Sequence, residues 1–187
     1  MKMDVNKMVK MGVLSALSVV LMLFVRFPII PAAPYLEYEP ADVPILIGTF
    51  LYGPAAGLIM TTVVSLIQSF TVSFSSGWVG FVMHIIATGT LVLVSGSIYK
   101  RVHTFKGAIL ALIAGALSMT LVMIPSNLFF SVKFFNMSYD AVVGLLIPAI
   151  IPFNLIKAFT NAVIVLLVYK PVGKFLKASG SGELRME

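Results

Sequence analysis

The stretch FNLIKAFTNAVIVLLVY, residues Phe153 to Tyr169, is apolar and long enough to cross a bilayer, yet it carries Lys157. A lysine in hydrocarbon costs at least roughly 2.5 to 3.5 kcal/mol on insertion scales, so it needs a partner. Asn154 and Asn161 flank it at spacings of three and four residues, which places the three side chains on one helix face. We therefore expect a membrane helix with a polar face, and a bound ligand is a candidate partner for the lysine.

The composition of the whole chain is that of an integral membrane protein. Apolar residues make up 59% of the 187 residues and charged residues 11%, and the mean hydropathy is +1.05. Too few polar side chains remain to coat a water-soluble domain. There is no cysteine, no GxxxxGK[ST] phosphate loop, no cluster with metal-ligand spacing and no Ser/His/Asp set within the apolar segments. We expect neither an enzyme nor a metalloprotein, and no ATPase of the P-loop type.

Six apolar segments are separated by charged residues, glycine or proline. In lipid only a helix satisfies its backbone polar groups within one segment, so we predict an all-α membrane protein with six transmembrane helices. The single transmembrane domain spans residues 1–177, and residues 178–187 form a short polar cytoplasmic tail. The predicted helices are Met8 to Val25, Val43 to Tyr52, Ala55 to Phe70, Trp78 to Tyr99, Gly107 to Phe130 and Val142 to Tyr169.

The basic residues indicate the orientation of the helices. Apart from Lys157, only Arg26 and Lys133 fall on one side of the predicted spans, and all other Lys and Arg fall on the side that holds both termini. The positive-inside rule therefore places both termini in the cytoplasm of a plasma-membrane protein. No basic stripe is interleaved with exposed aromatic residues, so we expect no nucleic-acid partner.

The second segment is too short to cross the membrane. A helix from Asp42, read as its N-cap, to Gly53 would span roughly 17 Å against about 30 Å of hydrocarbon. The preceding loop, Phe27 to Ala41, would therefore dip inward and cover an outward-facing pocket. The alternative is an ordinary surface loop with interfacial tyrosines.

The fifth and sixth segments supply candidate walls for that pocket. Asn127 lies in the outward third of the fifth segment, next to Pro125, and several phenylalanines occur at the same depth. Stacking and amide pairing would suit a flat, aromatic, uncharged ligand. The alternative is that Lys157 pairs with Asp140 or extends to the outer surface, while the asparagines join helices to one another. His84 and Gln68 are weaker pocket candidates.

Small residues recur at helical spacing on the cytoplasmic side. Such residues let helix backbones approach closely, and inside a bundle they usually serve internal packing. For Gly53 with Gly57, and for the row that begins at Gly107, we expect internal packing. Gly12 and Ala16 in the first helix are equally well read as a docking face for a partner protein.

Several of these stretches resemble one family. They are PYLEYEPADVPILIGTFLYGPAAGLI from Pro34, SLIQSFTVSFSSGWVGFVMH from Ser65, Asn127 within IPSNLFF, and FNLIKAFTN from Phe153. Together they resemble the riboflavin-specific substrate-binding (S) components of energy-coupling factor (ECF) transporters. The resemblance covers the chain from about Gly12 to Lys174. It is most specific in the PAD-VP stretch of the loop and in the N-x-x-K of the last helix.

The resemblance implies a six-helix S component that binds riboflavin beneath the first loop, with FMN as a second candidate ligand, and that catalyses no reaction. It implies a transmembrane coupling (T) subunit and two cytoplasmic ATPase subunits as partners, with no resident cofactor. The implied docking positions are Gly12 and Ala16, where the family typically carries two alanines. The implied ligand-binding residues are Asn127, Asn154, Lys157, Leu36, Glu37, Tyr38 and Asp42.

Other functions remain open on the sequence. Within the family, an S component for another vitamin is the nearest alternative. Outside it, the chain could be an autonomous channel or secondary transporter, or a membrane enzyme or structural subunit. Transport by the chain alone would indicate a channel or secondary transporter. An absence of saturable vitamin binding would indicate a membrane enzyme or structural subunit.

Overall fold

The computed structural model describes residues 5–178 and is almost entirely helical. Residues 5–178 form seven α-helices, a two-stranded hairpin, a 3₁₀ turn at Phe74–Ser76 and a π turn at Leu146–Ile150. The strands of the hairpin are β1 (Phe27–Pro28) and β2 (Glu37–Tyr38). The helices are α1 (Val5–Phe24), α2 (Asp42–Tyr52), α3 (Pro54–Phe70), α4 (Gly77–Arg101), α5 (Phe105–Phe134), α6 (Tyr139–Leu145) and α7 (Ile151–Ala178). The all-α prediction is confirmed apart from the hairpin, and the predicted tail lies outside the described residues except for Ala178.

In the described part of the chain, four helical units are long and apolar enough to cross a membrane. They are α1, α4, α5 and the unit that runs from α6 through the π turn into α7. Helices α2 and α3 have 11 and 17 residues and fall below that length. The short second segment expected from the sequence is thus present as α2.

The loop between α1 and α2 folds over one end of the bundle. Phe27 pairs with Tyr38 and Pro28 with Glu37 in the antiparallel hairpin. The end of the loop, from Tyr38 to Ala41, is buried, so the chain descends into the protein before α2 begins. The expectation that Asp42 caps α2 was wrong. Asp42 is the first helical residue, the cap position is Ala41, and no side chain caps the helix there.

The core is packed through close contacts between α2, α3 and α4. Gly53 joins α2 to α3 with a positive φ of 91°, a conformation that costs glycine little. A Cβ atom at Gly57 would clash with the side chain of Thr49, and one at Gly96 would lie 3.0 Å from the Cα of Pro54. The internal-packing role predicted for Gly57 is confirmed. This packing holds the short α2 deep in the bundle.

Candidate ligand-binding site

Lys157 is buried at the loop end of the bundle and pairs with two carboxylates. Its Nζ lies 3.3 Å from Oε1 of Glu39 in the loop and 4.0 Å from Oδ2 of Asp42 at the start of α2. The side chain is 8% exposed and therefore does not extend to the surface. The alternative in which Lys157 pairs with the exposed Asp140 was wrong. Within the described residues, the lysine finds its partners in the chain itself.

Glu39 is the residue at which the loop meets three helices. Besides Lys157 of α7, its Oε1 accepts a hydrogen bond from Nε2 of Gln68 in α3 at 3.1 Å. Nε2 of His84 in α4 lies 3.5 Å from the same oxygen. Ser65 of α3 contacts Nδ1 of His84 at 2.6 Å and so fixes the imidazole ring. A buried carboxylate needs such partners, because an unpaired charge in this position would be costly.

The surroundings of Glu39 keep it ionised. Burial by itself raises the pKa of the Glu39 carboxyl. The Lys157 ammonium and the neighbouring His84 outweigh that effect and bring the pKa down to about 2. The ion pair therefore persists across the physiological pH range.

A second set of hydrogen bonds fastens the loop to α7 and α4. The hydroxyl of Tyr38 donates to Oδ1 of Asn161 at 2.9 Å, and the amide of Asn161 donates to Oδ2 of Asp42 at 3.3 Å. The hydroxyl of Thr88 donates to Oδ1 of Asp42 at 2.8 Å. Asp42 is fully buried, so both of its oxygens are satisfied by protein groups.

At the outer edge, Arg26 ties the loop to the turn after α3. Its guanidinium forms a salt bridge with Glu37 and donates to the backbone carbonyl of Val72 at 2.6 Å. Both partners of the salt bridge are about three-tenths exposed, so its contribution to stability is modest. The contact orients Glu37 along the rim of the cavity below.

Two adjoining cavities lie beneath the loop. The first, of about 160 Å³, is lined by Glu39, Phe153, Asn154 and Lys157 among others. The second, of about 460 Å³, contains Asn127 in its wall. The two cavities share four lining residues, which are Tyr35, Leu36, Gly80 and Met83. The larger volume is within the roughly 300 to 1,000 Å³ that is usual for small-molecule sites.

The two asparagines of the cavity walls are held in the same way. Nδ2 of Asn127 donates to the carbonyl of Met123, and Nδ2 of Asn154 donates to the carbonyl of Ile150, each at 2.8 Å. Each side-chain amide thus donates one N–H to a backbone carbonyl one turn earlier, and this hydrogen bond fixes the side chain. A carbonyl oxygen and a second N–H remain in each for pairing with a ligand.

The predicted ligand-binding residues divide into two groups in the structure. Asn127, Asn154, Lys157, Leu36 and Glu37 line the cavities. Tyr38 and Asp42 are buried in the hydrogen bonds that fasten the loop, and neither lines either of these two cavities.

Sequence reasoning did not single out Glu39. The signal was available, since it is an acidic residue in a loop predicted to dip toward an intramembrane lysine. Helical spacing alone could not say which of the loop carboxylates faces Lys157. His84 and Gln68, the weaker pocket candidates, line the first cavity, and both also contact Glu39.

The predicted docking residues lie in the middle of α1, outside the cavities. Gly12 and Ala16 are exposed on α1, and nothing lies within 4 Å of a Cβ built on Gly12. Helix α1 turns one side to the bundle and leaves a broad apolar side uncovered, which includes Val9, Val13 and Val20.

Comparison with known proteins places the chain in one family. Residues 6–169 match the family described as ECF transporter, substrate-specific component. The chain is 32% identical to the riboflavin transporter RibU of Staphylococcus aureus strain TCH60, over 95% of this chain and 96% of that one. It is 27% identical to the riboflavin transporter FmnP of Bacillus subtilis strain 168, over 97% and 100% of the two chains.

A solved structure gives the same result for the fold. The S component of a bacterial ECF transporter superposes on this chain with a TM-score of 0.79 and 33% identity. The match covers 91% of this chain and 97% of the other. The predicted family resemblance is therefore confirmed in sequence and in fold.

Proposed function

The chain belongs to the substrate-specific components of ECF transporters, and we propose that it is the riboflavin-binding S component of an ATP-driven vitamin importer. It binds and carries its substrate without making or breaking a bond in it. Relatives from two organisms that match nearly the whole chain are riboflavin transporters, which supports the choice of substrate.

The observation that carries this proposal is the charge balance beneath the loop. Lys157 is already paired with Glu39, and Arg26 with Glu37. A ligand for this site therefore needs no negative charge of its own. The isoalloxazine ring of riboflavin is neutral, flat and edged with carbonyl and N–H groups, so it matches asparagine amides and aromatic walls.

The proposed binding residues are the seven expected from the sequence, in two roles. Asn127, Asn154 and Lys157 pair with the polar edge of the ring, and Leu36 and Glu37 cover it from the loop. Tyr38 and Asp42 act mainly by holding the loop in place. No resident cofactor is required.

The same charge balance favours riboflavin over FMN. A phosphate group carries close to two negative charges at neutral pH and calls for uncompensated cations. Around the described cavities, each basic group has a carboxylate partner. We propose that FMN binds more weakly than riboflavin for this reason.

The proposed topology has six membrane helices with both termini in the cytoplasm. Helices α2 and α3 are embedded but short, and they are completed by the loop and by the turn after α3. The charge asymmetry of the sequence supports this orientation. The binding site then faces outward and the free side of α1 begins at the cytoplasmic surface.

The energy for transport is proposed to come from partners. The chain has no ATP-binding phosphate loop. A transmembrane T subunit would dock on α1 at Gly12 and Ala16, where small residues permit close helix contact. Two cytoplasmic ATPase subunits would drive the reorientation of the loaded protein.

The test is a titration of the purified, ligand-stripped protein with riboflavin, in which quenching of the flavin fluorescence reports binding. We expect tight quenching at one riboflavin per chain. A folded sample that leaves riboflavin fluorescence unchanged would remove the assignment. Proteoliposomes that contain this chain alone should show no riboflavin uptake, whereas autonomous uptake would support a secondary transporter.

A further inference from the structure

A separate cavity of about 450 Å³ lies at the end of the bundle opposite the loop. It is bounded by the beginning of α1, the turn between α2 and α3, and the end of α4. Lys7, Lys100 and His103 line it, together with Tyr52 and Tyr99. The riboflavin site has no residue in common with this cavity.

Among the residues that the structure describes, the charge of this cavity has no counter-charge, in contrast to the riboflavin site. Two lysines and a histidine line it, and no carboxylate of the described residues does. The described carboxylates are elsewhere, with Glu37, Glu39 and Asp42 at the loop end and Asp140 at the start of α6. Clustered cations without counter-charges raise the local concentration of anions.

Lys7 is held toward the cavity by neutral groups. Its Nζ lies 3.4 Å from the backbone carbonyl oxygen of Tyr52 and 5.6 Å from the centre of the Tyr52 ring. Both contacts orient the ammonium without cancelling its charge. The side chain is half-buried, so an anion bound here would be partly shielded from water.

Most of the remaining lining is apolar and reaches the outer surface of the bundle. Leu51, Ala55 and Ile59 belong to the wall, and Ile59 is 41% exposed. A ligand with an anionic head and an apolar body would satisfy both parts of the wall. Basic pockets between helices on the cytoplasmic side have the chemistry that binds anionic lipid head groups.

We propose that this cavity binds the phosphate head group of an anionic phospholipid from the cytoplasmic leaflet. Lys7 and Lys100 pair with the phosphate, and His103 and Tyr52 line the head-group space. The acyl chains extend along the exposed side of α3. The choice of leaflet depends on the orientation proposed above, whereas the binding chemistry does not.

The test is native mass spectrometry of the full-length, delipidated protein in detergent, mixed with dioleoylphosphatidylglycerol or with dioleoylphosphatidylcholine. We expect the protein to retain phosphatidylglycerol in preference to phosphatidylcholine. Each lysine removed should weaken the affinity for phosphatidylglycerol about fivefold, because one basic residue near an anionic lipid contributes about 1 kcal/mol. The test variant is Lys7→Gln/Lys100→Gln. The matched control is Lys10→Gln/Lys106→Gln, which removes the same charge from the same end at residues that do not line the cavity.

Three results would overturn the proposal. The first is equal retention of the two lipids, and the second is an equal loss of phosphatidylglycerol binding in the test and control variants. The third is displacement of the lipid by millimolar inorganic phosphate, which would point to a soluble phosphate ligand. Lys100→Gln alone, at an exposed position, should also weaken retention and avoids the packing of Lys7. Riboflavin titration of the same variants should match the wild type, so a failure of lipid binding and a failure of the riboflavin assignment are separate results.

Discussion

Nζ of Lys157 in α7 lies 3.3 Å from Oε1 of Glu39 in the loop, and both side chains are buried. The two residues are 118 positions apart in the chain. Their contact closes the loop over the cavities and neutralises the lysine that the membrane would otherwise reject. We propose that the loop moves when riboflavin enters, so the strength of the pair would bear on both stability and access.

The Lys157–Glu39 pair should be strongly coupled. Lys157→Met leaves the Glu39 carboxylate buried without its main partner, and we expect a loss of about 3 to 5 kcal/mol in the free energy of unfolding. The double variant Glu39→Gln/Lys157→Met should recover part of that loss. Urea unfolding in detergent measures both. Lys133→Met, at an exposed position, is the control, and additive effects of the two single changes would contradict the coupling.

Acidification should loosen the loop. The pKa of Glu39 is lowered from 4.5 to about 2 in the folded protein. Its ionised form therefore stabilises the fold fully above about pH 4.5, and that contribution is lost as the pH falls toward 2. Protease cleavage of the loop should accelerate across this window in the wild type. Glu39→Gln should flatten the dependence, and an unchanged profile in that variant would assign the effect to another group.

The side chain of Asn154 should matter for binding more than for folding. Asn154→Ala removes the amide that we assign to the flavin edge, and the loss of one buried hydrogen bond of about 1.4 kcal/mol corresponds to roughly tenfold weaker riboflavin binding. Fluorescence titration measures the change. Thr160→Ala, on the exposed side of the same helix, should bind like the wild type. Equal affinity of the two variants would exclude Asn154 from the site.

Preference between riboflavin and FMN should depend on Glu37. Glu37→Gln leaves the guanidinium of Arg26 without its carboxylate partner beside the cavity. A phosphate could then pair with Arg26, so the affinity for FMN should rise several-fold relative to that for riboflavin. Competition titration reports the ratio. Asp140→Asn removes an exposed acidic residue away from the cavities and should leave the ratio unchanged.

A bulky residue on the free side of α1 should separate binding from transport. Gly12→Leu or Ala16→Leu adds volume where a helix of the T subunit would approach, and no described atom lies within 4 Å of a Cβ atom built on Gly12. Riboflavin affinity should stay at the wild-type value, and uptake by the assembled transporter should be abolished. Leu121→Phe, at an exposed position on α5 away from α1, is the size control. Normal uptake by Gly12→Leu would reject this docking face.

Much of the fold could be predicted from the pattern of apolar segments. The predicted segment boundaries were correct to within a few residues for α2 and α3. That α2 is too short to cross the membrane could be predicted from the length of its apolar segment. The continuation of α5 to Phe134 and the start of α6 at Tyr139 were missed, because polar residues near a membrane surface continue a helix as readily as they end one. The hairpin was missed because two-residue strands leave no periodicity.

The sequence by itself determined that the chain enters a membrane, which segments are helical, and that Asn154, Lys157 and Asn161 share a face. These properties depend on local composition and on the period of the helix, which are written in neighbouring residues. Only the tertiary structure decided that Glu39, rather than Glu37, meets Lys157, and that Tyr38 and Asp42 fasten the loop. Those contacts join residues more than a hundred positions apart, and they depend on how deep α2 is placed in the bundle and on the path of the loop above it.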